Sequence, residues 1–414
     1  MKMKKNTMIK WRVAKLGEPD VANINMGQSP PGDTYNETGD GLVFYQGKAD
    51  FGDISPTPRI WCSKPKKIAK IGDILLSVRA PVGPTNIANE KCCIGRGLSA
   101  IRGGANAHTM YIYYYLNFIE PRLCAQGEGS TFTAIGKEKI QDIEIPLPPL
   151  PVQEKIVQII QKNKDIYRKR EEALDLLDKI LSASFINIFG DPSKNQKKFS
   201  WVPLGELAEI RSGVTKGRKL QGRKTIDVPY LRVANVQDGY LDLSEIKKIE
   251  VLPEDIDRYH LENGDILLIE GCGNPNYLGR GTIWRDEIPG MIHQNHIFRA
   301  RTDRTKLLPE YLAALLQTQY ANSYFLSCAK NSSGLSNINS SQVKALKIPL
   351  PPIELQKKFV MAVDQWIQTR QQINNGLLDA KKLNAGLMKK AFSGQLTAEW
   401  EEVNAKWIKS QVKS

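Results

Sequence analysis

The sequence predicts an α+β protein with two mixed α/β domains in tandem, each followed by a long helix. The two helices are expected to pair as an antiparallel coiled coil about a pseudo-twofold internal repeat. Three observations carry this. Residues 145–160, IPLPPLPVQEKIVQII, return as residues 348–363, IPLPPIELQKKFVMAV. The two halves open alike, with Trp11, Leu16-Gly17-Glu18 and Ile24-x-x-Gly27 against Trp201, Leu204-Gly205-Glu206 and Ile210-x-x-Gly213. Finally, Gly72-Asp73-Ile74-Leu75-Leu76 recurs letter for letter as Gly264-Asp265-Ile266-Leu267-Leu268. The expected boundaries are 1–150 for the first domain, 151–190 for the central helix, 191–351 for the second domain and 352–414 for the last helix and tail.

Within each domain, a Gly-Asp turn feeding an apolar run reads as a turn into a buried strand. Further short strands are expected at 42–46, 74–78, 230–236, 265–269 and 297–300, with helices at 111–117 and 311–316. Polar stretches follow those helices, at 127–131 and 331–334, and lead through Ile135 or Ile338 to the proline-rich arm. Proline fixes φ and donates no ladder hydrogen bond, so each I-P-L-P-P is an extended segment leaving its domain.

After each arm the apolar spacing changes to three and four, the helical period. In the first helix Ile156, Ile159, Asn163, Ile166, Arg170, Ala173, Leu177 and Ile180 form a stripe. In the second, Phe359, Ala362, Trp366, Thr369, Ile373, Gly376, Ala380, Leu383 and Leu387 do the same. Such alternation is a coiled-coil seam, and its polar members suit register setting. A helix of about 35 residues is about 50 Å long. A small domain does not cover that length, which makes each helix the natural partner of the other. Gly190-Asp191-Pro192 stops the first and Phe392-Ser393-Gly394-Gln395-Leu396-Thr397 the second.

The formal net charge is +14, from 58 Lys and Arg against 44 Asp and Glu, shared between the halves. A basic surface of this kind favours a polyanion, most simply nucleic acid. The six cysteines, Cys62, Cys92, Cys93, Cys124, Cys272 and Cys328, show no C-x-x-C spacing, which fits unpaired thiols of a cytosolic protein. The basic opening MKMKKNTMIKW lacks the apolar stretch of a signal peptide, and no run approaches a membrane span. A soluble, cytoplasmic chain that meets no membrane is expected.

No catalytic set emerges. Asn274-Pro275-Asn276-Tyr277 resembles the N-P-P-Y box of amino-group DNA methyltransferases. It has Asn in the third position, and no strand, glycine-rich turn and helix for a methyl donor precede it. Glu245-Ile246-Lys247 lacks an acidic partner at nuclease spacing. His293 and His296 sit three apart in an apparent strand, MIHQNHIF, and so face opposite ways, unsuited to one metal. No P-loop, G-x-S-x-G or catalytic Cys-His signature is present.

Binding residues are more numerous. Lys216, Arg218, Lys219, Arg223 and Lys224 lie in nine residues without an acid, suited to phosphates and able to send an arginine to guanine. In the first domain Lys48, Arg59, Arg79 and Arg96 lie in loops, interleaved with Tyr45, Phe51 and Trp61. Arg232 stands beside the amides Asn235 and Gln237. These two, with Gln294 and Asn295, have the side chain that reads adenine edges, and Gln46 occupies a matching loop position.

The paired openings, the two G-D-I-L-L turns, the doubled I-P-L-P-P arms with Q-x-K, the helices and the closing FSGQLT resemble the specificity (S) subunit of Type I restriction-modification systems, over essentially the whole chain. The resemblance implies two target recognition domains, each reading one part of a split, asymmetric site in double-stranded DNA. It implies helices that separate these domains and seat two methyltransferase (M) subunits, and it leaves open whether two restriction (R) subunits join. S-adenosylmethionine, and ATP and Mg for restriction, are then expected on the partner subunits, with no cofactor or metal on this chain and no catalysis by it. Gln46, Lys48, Asn235 and Gln237 are placed as DNA contacts by loop position only. A stand-alone two-headed DNA-binding regulator, a fused methyltransferase-nuclease and a coiled-coil scaffold whose basic lobes bind protein are the alternative readings.

Overall fold

The computed structural model describes residues 11–127, 134–218, 220, 222–272, 278–332 and 335–411. The chain divides into two compact units, Met1–Glu171 with Asn375–Ser414, and Glu172–Asn374. The expected helix boundaries therefore do not coincide with the compact units. The helices Leu150–Phe189 and Ile353–Phe392 each give one part to each unit.

The repeat is a repeat of architecture. In the first unit an antiparallel sheet has the spatial order Ala22–Met26, Leu98–Gly103, Ile74–Ser77, Thr85–Ile87. In the second the order is Ala208–Ser212, Ile297–Thr302, Ile266–Ile269, Gly281–Ile283. Each unit adds a parallel pair, Leu42–Tyr45 with Cys92–Ile94 and Ile226–Leu231 with Ile292–His293. The proline arms are strands too. Glu144–Leu147 pairs with Arg12–Lys15, and Lys347–Leu350 with Ser200–Pro203. Both are two-stranded sheets, where proline's missing donor costs nothing on the open side.

The duplicated motifs have duplicated hydrogen bonds. Gln153, fully buried, accepts from the His108 amide at 2.8 Å and donates to the carbonyls of Asn106 and Pro148. Gln356, also fully buried, accepts from the Leu308 amide at 2.8 Å and donates to Lys306 and Pro351. One glutamine thus clasps the arm to the loop before the domain helix and satisfies three buried backbone groups. The Gly-Asp turn works similarly. Asp73 accepts from the Lys70 amide and from Arg102 at 2.6 Å, and Asp265 from the Glu262 amide and from Arg301 at 2.8 Å.

Within the first unit Asn163 meets Asn384 at 3.5 Å and Arg170 donates to the Gly376 carbonyl. A Cβ at Gly376 would lie 2.7 Å from that guanidinium, so a larger residue there requires the Arg170 side chain to move. Within the second unit Asp178 accepts from Trp366 Nε1 at 3.1 Å and from Arg370, while Phe185 and Phe189 pack on Phe359. In both units numbers rise along one helix as they fall along the other, so the segments run antiparallel.

The seam itself needs correction. Ile156, Leu177, Phe359, Trp366 and Ile373 point inward or are half-buried, but Ile166, Ile180 and Leu383 are 42%, 53% and 59% exposed. Ile159 is half-buried, while its neighbour Ile160 is fully buried. The inward positions after Ile156 are Ile160, Asn163, Tyr167, Arg170, Leu174, Leu177 and Leu181. Those after Phe359 are Val363, Trp366, Arg370, Ile373, Leu377, Ala380, Asn384 and Leu387. The step of four precedes the step of three. Ile159/Ile160, Ile166/Tyr167 and Ile180/Leu181 offer an apolar residue in either phase, so periodicity alone does not choose.

The helix ends fall where the stop signals place them, with Gly190 at φ 81° and Gly394 at φ 80°. The final segment is a helix, Ala398–Gln411, whose Glu401 accepts from Trp11 Nε1 at 3.2 Å. Phe392 packs among Tyr111, Tyr115 and Phe118. Among the described residues no helix is long and apolar enough to cross a membrane, and no cluster of His, Cys, Asp and Glu has a metal-site arrangement.

Candidate nucleic-acid interface

In the first domain, Gln46, Lys48, Arg59, Arg79 and Arg96 line one open concavity of about 830 Å³. The strand Leu42–Tyr45 runs into a turn, Lys48–Asp50, anchored by Asp50, which is 8% exposed. One Asp50 oxygen accepts from the Gln46 amide at 2.6 Å and the Gly47 amide at 3.3 Å. The other takes the Arg59 guanidinium, with Nε at 3.2 Å. This carboxylate folds the loop and holds Arg59. The Ser77 hydroxyl fixes the next turn by donating to the carbonyls of Arg79 and Pro81. Arg96 sits between the strands Cys92–Ile94 and Leu98–Gly103, beside Gly97, where a Cβ would stand 2.3 Å from the Gln46 carbonyl.

Lys48, Arg79 and Arg96 are exposed and make no ion pair among the described residues. Ser29 and Tyr35 also line the concavity. Sequence reasoning missed both, because neither residue type carries a signal by itself. The aromatic residues correct an expectation. Tyr45 is buried, and Phe51 and Trp61 pack on the same small core, so they support the loops from beneath.

The second domain is organised differently. Arg218 and Arg223 of the basic loop are paired with Asp255 and Glu254 of the helix Pro253–Tyr259. Burial pushes the Asp255 carboxyl up, but hydrogen bonds from Arg218 and the Leu252 amide outweigh it, and the group is held below the usual range. The loop is thus tied down, and two of its cations are partly neutralised. Lys216 and Lys224 remain exposed, and Lys219 lies outside the described residues, as does the Asn274–Tyr277 box.

Arg232 is held by the Glu245 carboxylate at 2.9 Å and its carbonyl at 3.1 Å. Asn235 does not reach a ligand. At 3% exposure its amide accepts from the Arg232 amide and donates to the carbonyls of Asp242 and Glu245, leaving nothing for a base edge. Gln237 donates to the Ala234 carbonyl. Gln294 and Asn295 are half-buried in a turn between Ile292–His293 and Ile297–Thr302, not in one continuous strand. Val214, at the mouth of the basic loop, pairs with Gln294, which brings loop and turn together. In the same turn the exposed His296 meets Glu270 at 2.6 Å, a pair that sequence spacing does not reveal.

His293 is buried beneath this turn. Its Nδ1 lies 3.2 Å from the Tyr259 carbonyl and its Nε2 has no hydrogen-bond partner among the described residues. Burial, then the nearby Arg299 cation, push its pKa down to about 4. The folded state therefore keeps the ring neutral while the unfolded chain protonates near pH 6.5. Stability is complete above about pH 6.5 and is lost as pH falls towards 4, by about 3 kcal/mol at about 1.4 kcal/mol per pKa unit. Denaturant melts of the full chain followed by circular dichroism at several pH values should show this acid loss, and His293→Gln should flatten it.

The model of the Type I restriction modification DNA specificity domain matches residues 8–175 and again 196–380. A protein of Methanocaldococcus jannaschii named as the specificity subunit of the type I restriction enzyme MjaX is 44% identical over 169 residues, 40% of this chain and 40% of that protein. The EcoKI specificity subunit of Escherichia coli K12 is 24% identical over 340 residues, 77% of this chain and 71% of that one. The crystal structure of a Type-I restriction-modification S subunit from M. genitalium shares the fold, with a TM-score of 0.56 at 16% identity, over 94% of this chain and 98% of that one. With the family's domain matched in both halves, and the tandem fold matched across nearly all of its length, the chain belongs to the type I restriction-modification DNA specificity family.

Proposed function

We propose that this chain reads a bipartite, asymmetric site in double-stranded DNA, one domain to each part, for partner subunits that carry out the chemistry. The observation that carries the reading is the concavity of the first domain, where five residues from four loops converge and three cations have no ion-pair partner among the described residues. An exposed guanidinium or ammonium in a concave loop surface suits phosphate and base edges. The net charge of +14 supplies the long-range attraction.

On this reading the long helices serve as the seat for two methyltransferase subunits, with restriction subunits joining where present. S-adenosylmethionine, ATP and Mg belong to those partners, and the chain itself neither methylates nor cuts. The expected result is that the purified full chain transfers no labelled methyl group to DNA. Co-expressed with its methyltransferase, it should direct transfer to one split sequence. Methyl transfer by the chain alone would sink the proposal in favour of a fused enzyme. Sequence-selective binding that no methyltransferase joins would favour a regulator.

A further inference from the structure

Four backbone hydrogen bonds recur in both domains and align them around the cleft. The carbonyl of Tyr45 accepts from the Gly95 amide at 2.9 Å as that of Leu231 does from Gln294 at 3.0 Å. Gly95 accepts from Leu98 at 3.0 Å, as Gln294 does from Ile297 at 2.9 Å. Gly97 accepts from Val78, as His296 does from Glu270, both at 2.9 Å. Val78 accepts from Ile135 at 2.9 Å, as Glu270 does from Ile338 at 2.8 Å. Arg96 therefore corresponds to Asn295, Gly97 to His296, Val78 to Glu270 and Arg79 to Gly271.

The equivalence exposes a chemical difference. Two of the three arginines of the first cleft, Arg96 and Arg79, have an amide and a glycine in their places in the second domain, next to the His296–Glu270 pair. Within the first cleft the arginines are not alike either. The fork of Arg59 is occupied by Asp50, while Arg79 and Arg96 have no ion-pair partner among the described residues. Asp50 is the acid lining this concavity among the described residues, and Arg59 already neutralises it.

We infer that the first domain reads guanine through Arg79 and Arg96, and that the second domain, with Gly271 and Asn295 at those positions, reads its half-site by other groups. A free guanidinium on a concave wall matches the O6 and N7 of guanine with two parallel hydrogen bonds. Arg59 is a positioning residue, holding the Asp50 turn that presents Gln46 and Lys48. The inference rests on the DNA-reading function proposed above.

The test is selection of randomised duplexes by the full chain co-expressed with its methyltransferase, followed by sequencing. The wild-type logo should contain guanine in one half-site. Arg96→Asn and Arg79→Gly, which install the second domain's residues, should each remove a guanine preference from that half. Each should also weaken binding to the original site by about tenfold to a hundredfold. The other half-site should be unchanged, which also shows that the variant is folded. Arg96→Lys should keep the salt dependence while relaxing the same base position. Uniform loss of affinity with both half-sites unaltered would make the arginines phosphate contacts and overturn the inference, as would a wild-type site without guanine in either half. Failure of the wild-type chain to select any sequence would instead overturn the DNA-reading function itself.

Discussion

Arg301→Ala is expected to destabilise the second domain by about 3–5 kcal/mol, the cost of leaving a buried charge without its partner. Arg301 holds Asp265 with two parallel hydrogen bonds of 2.8 Å, and Asp265 is 1% exposed. Without the guanidinium the carboxylate keeps the Glu262 amide but loses its counter-charge. Desolvation is then offset only by that amide and by the Arg299 cation nearby. Denaturant melts of the full chain followed by circular dichroism should show the loss. Asp265→Asn combined with Arg301→Ala should recover part of it, because the uncompensated charge has gone. If the single variant melts like the wild type, the repeated Gly-Asp turn is held by its backbone alone.

Simultaneous Lys48→Ala, Arg79→Ala and Arg96→Ala should weaken DNA binding by at least about a hundredfold at moderate salt, and lower the salt slope by roughly one unit for the phosphate contact open to Lys48. Arg59 is left in place because its removal would strand Asp50 and confound binding with folding. The matching change in the second domain, Lys216→Ala with Lys224→Ala, should have a smaller effect on binding. Replacing Arg218 or Arg223 instead should loosen the loop from the helix Pro253–Tyr259, and so affect order as well as charge. Titrations of duplex DNA at several salt concentrations measure both terms, and an unchanged affinity for the triple variant would remove the cleft from the interface.

Much of the architecture was legible in the residues. The recurrence of I-P-L-P-P with its glutamine, and of G-D-I-L-L, implied two equivalent domains, because identical local chemistry at matched places builds identical local structure. The buried hydrogen bonds of Gln153 and Gln356, and of Asp73 and Asp265, are the physical content of those letters. The first cleft was legible as well. Its contributors are polar residues in glycine-bearing loops at strand ends, where backbone geometry turns side chains outward.

The rest depended on neighbours distant in sequence. Whether Ile159 or Ile160 faced inward rested on the surface across from it, since both residues satisfy the apolar period. Asn235 looks like an adenine reader in sequence, but its amide is used by its own turn and by the carbonyls of Asp242 and Glu245. Arg218 and Arg223 look free until the helix carrying Glu254 and Asp255 folds over them. Residue order by itself determined the repeated frame, the proline arms, the long helices and the basic character, since these follow from local propensity and periodicity. Only the tertiary structure decided which helix face was covered, which cations stayed unpaired and which amides were already satisfied, because burial and ion pairing are properties of surfaces that meet only after folding.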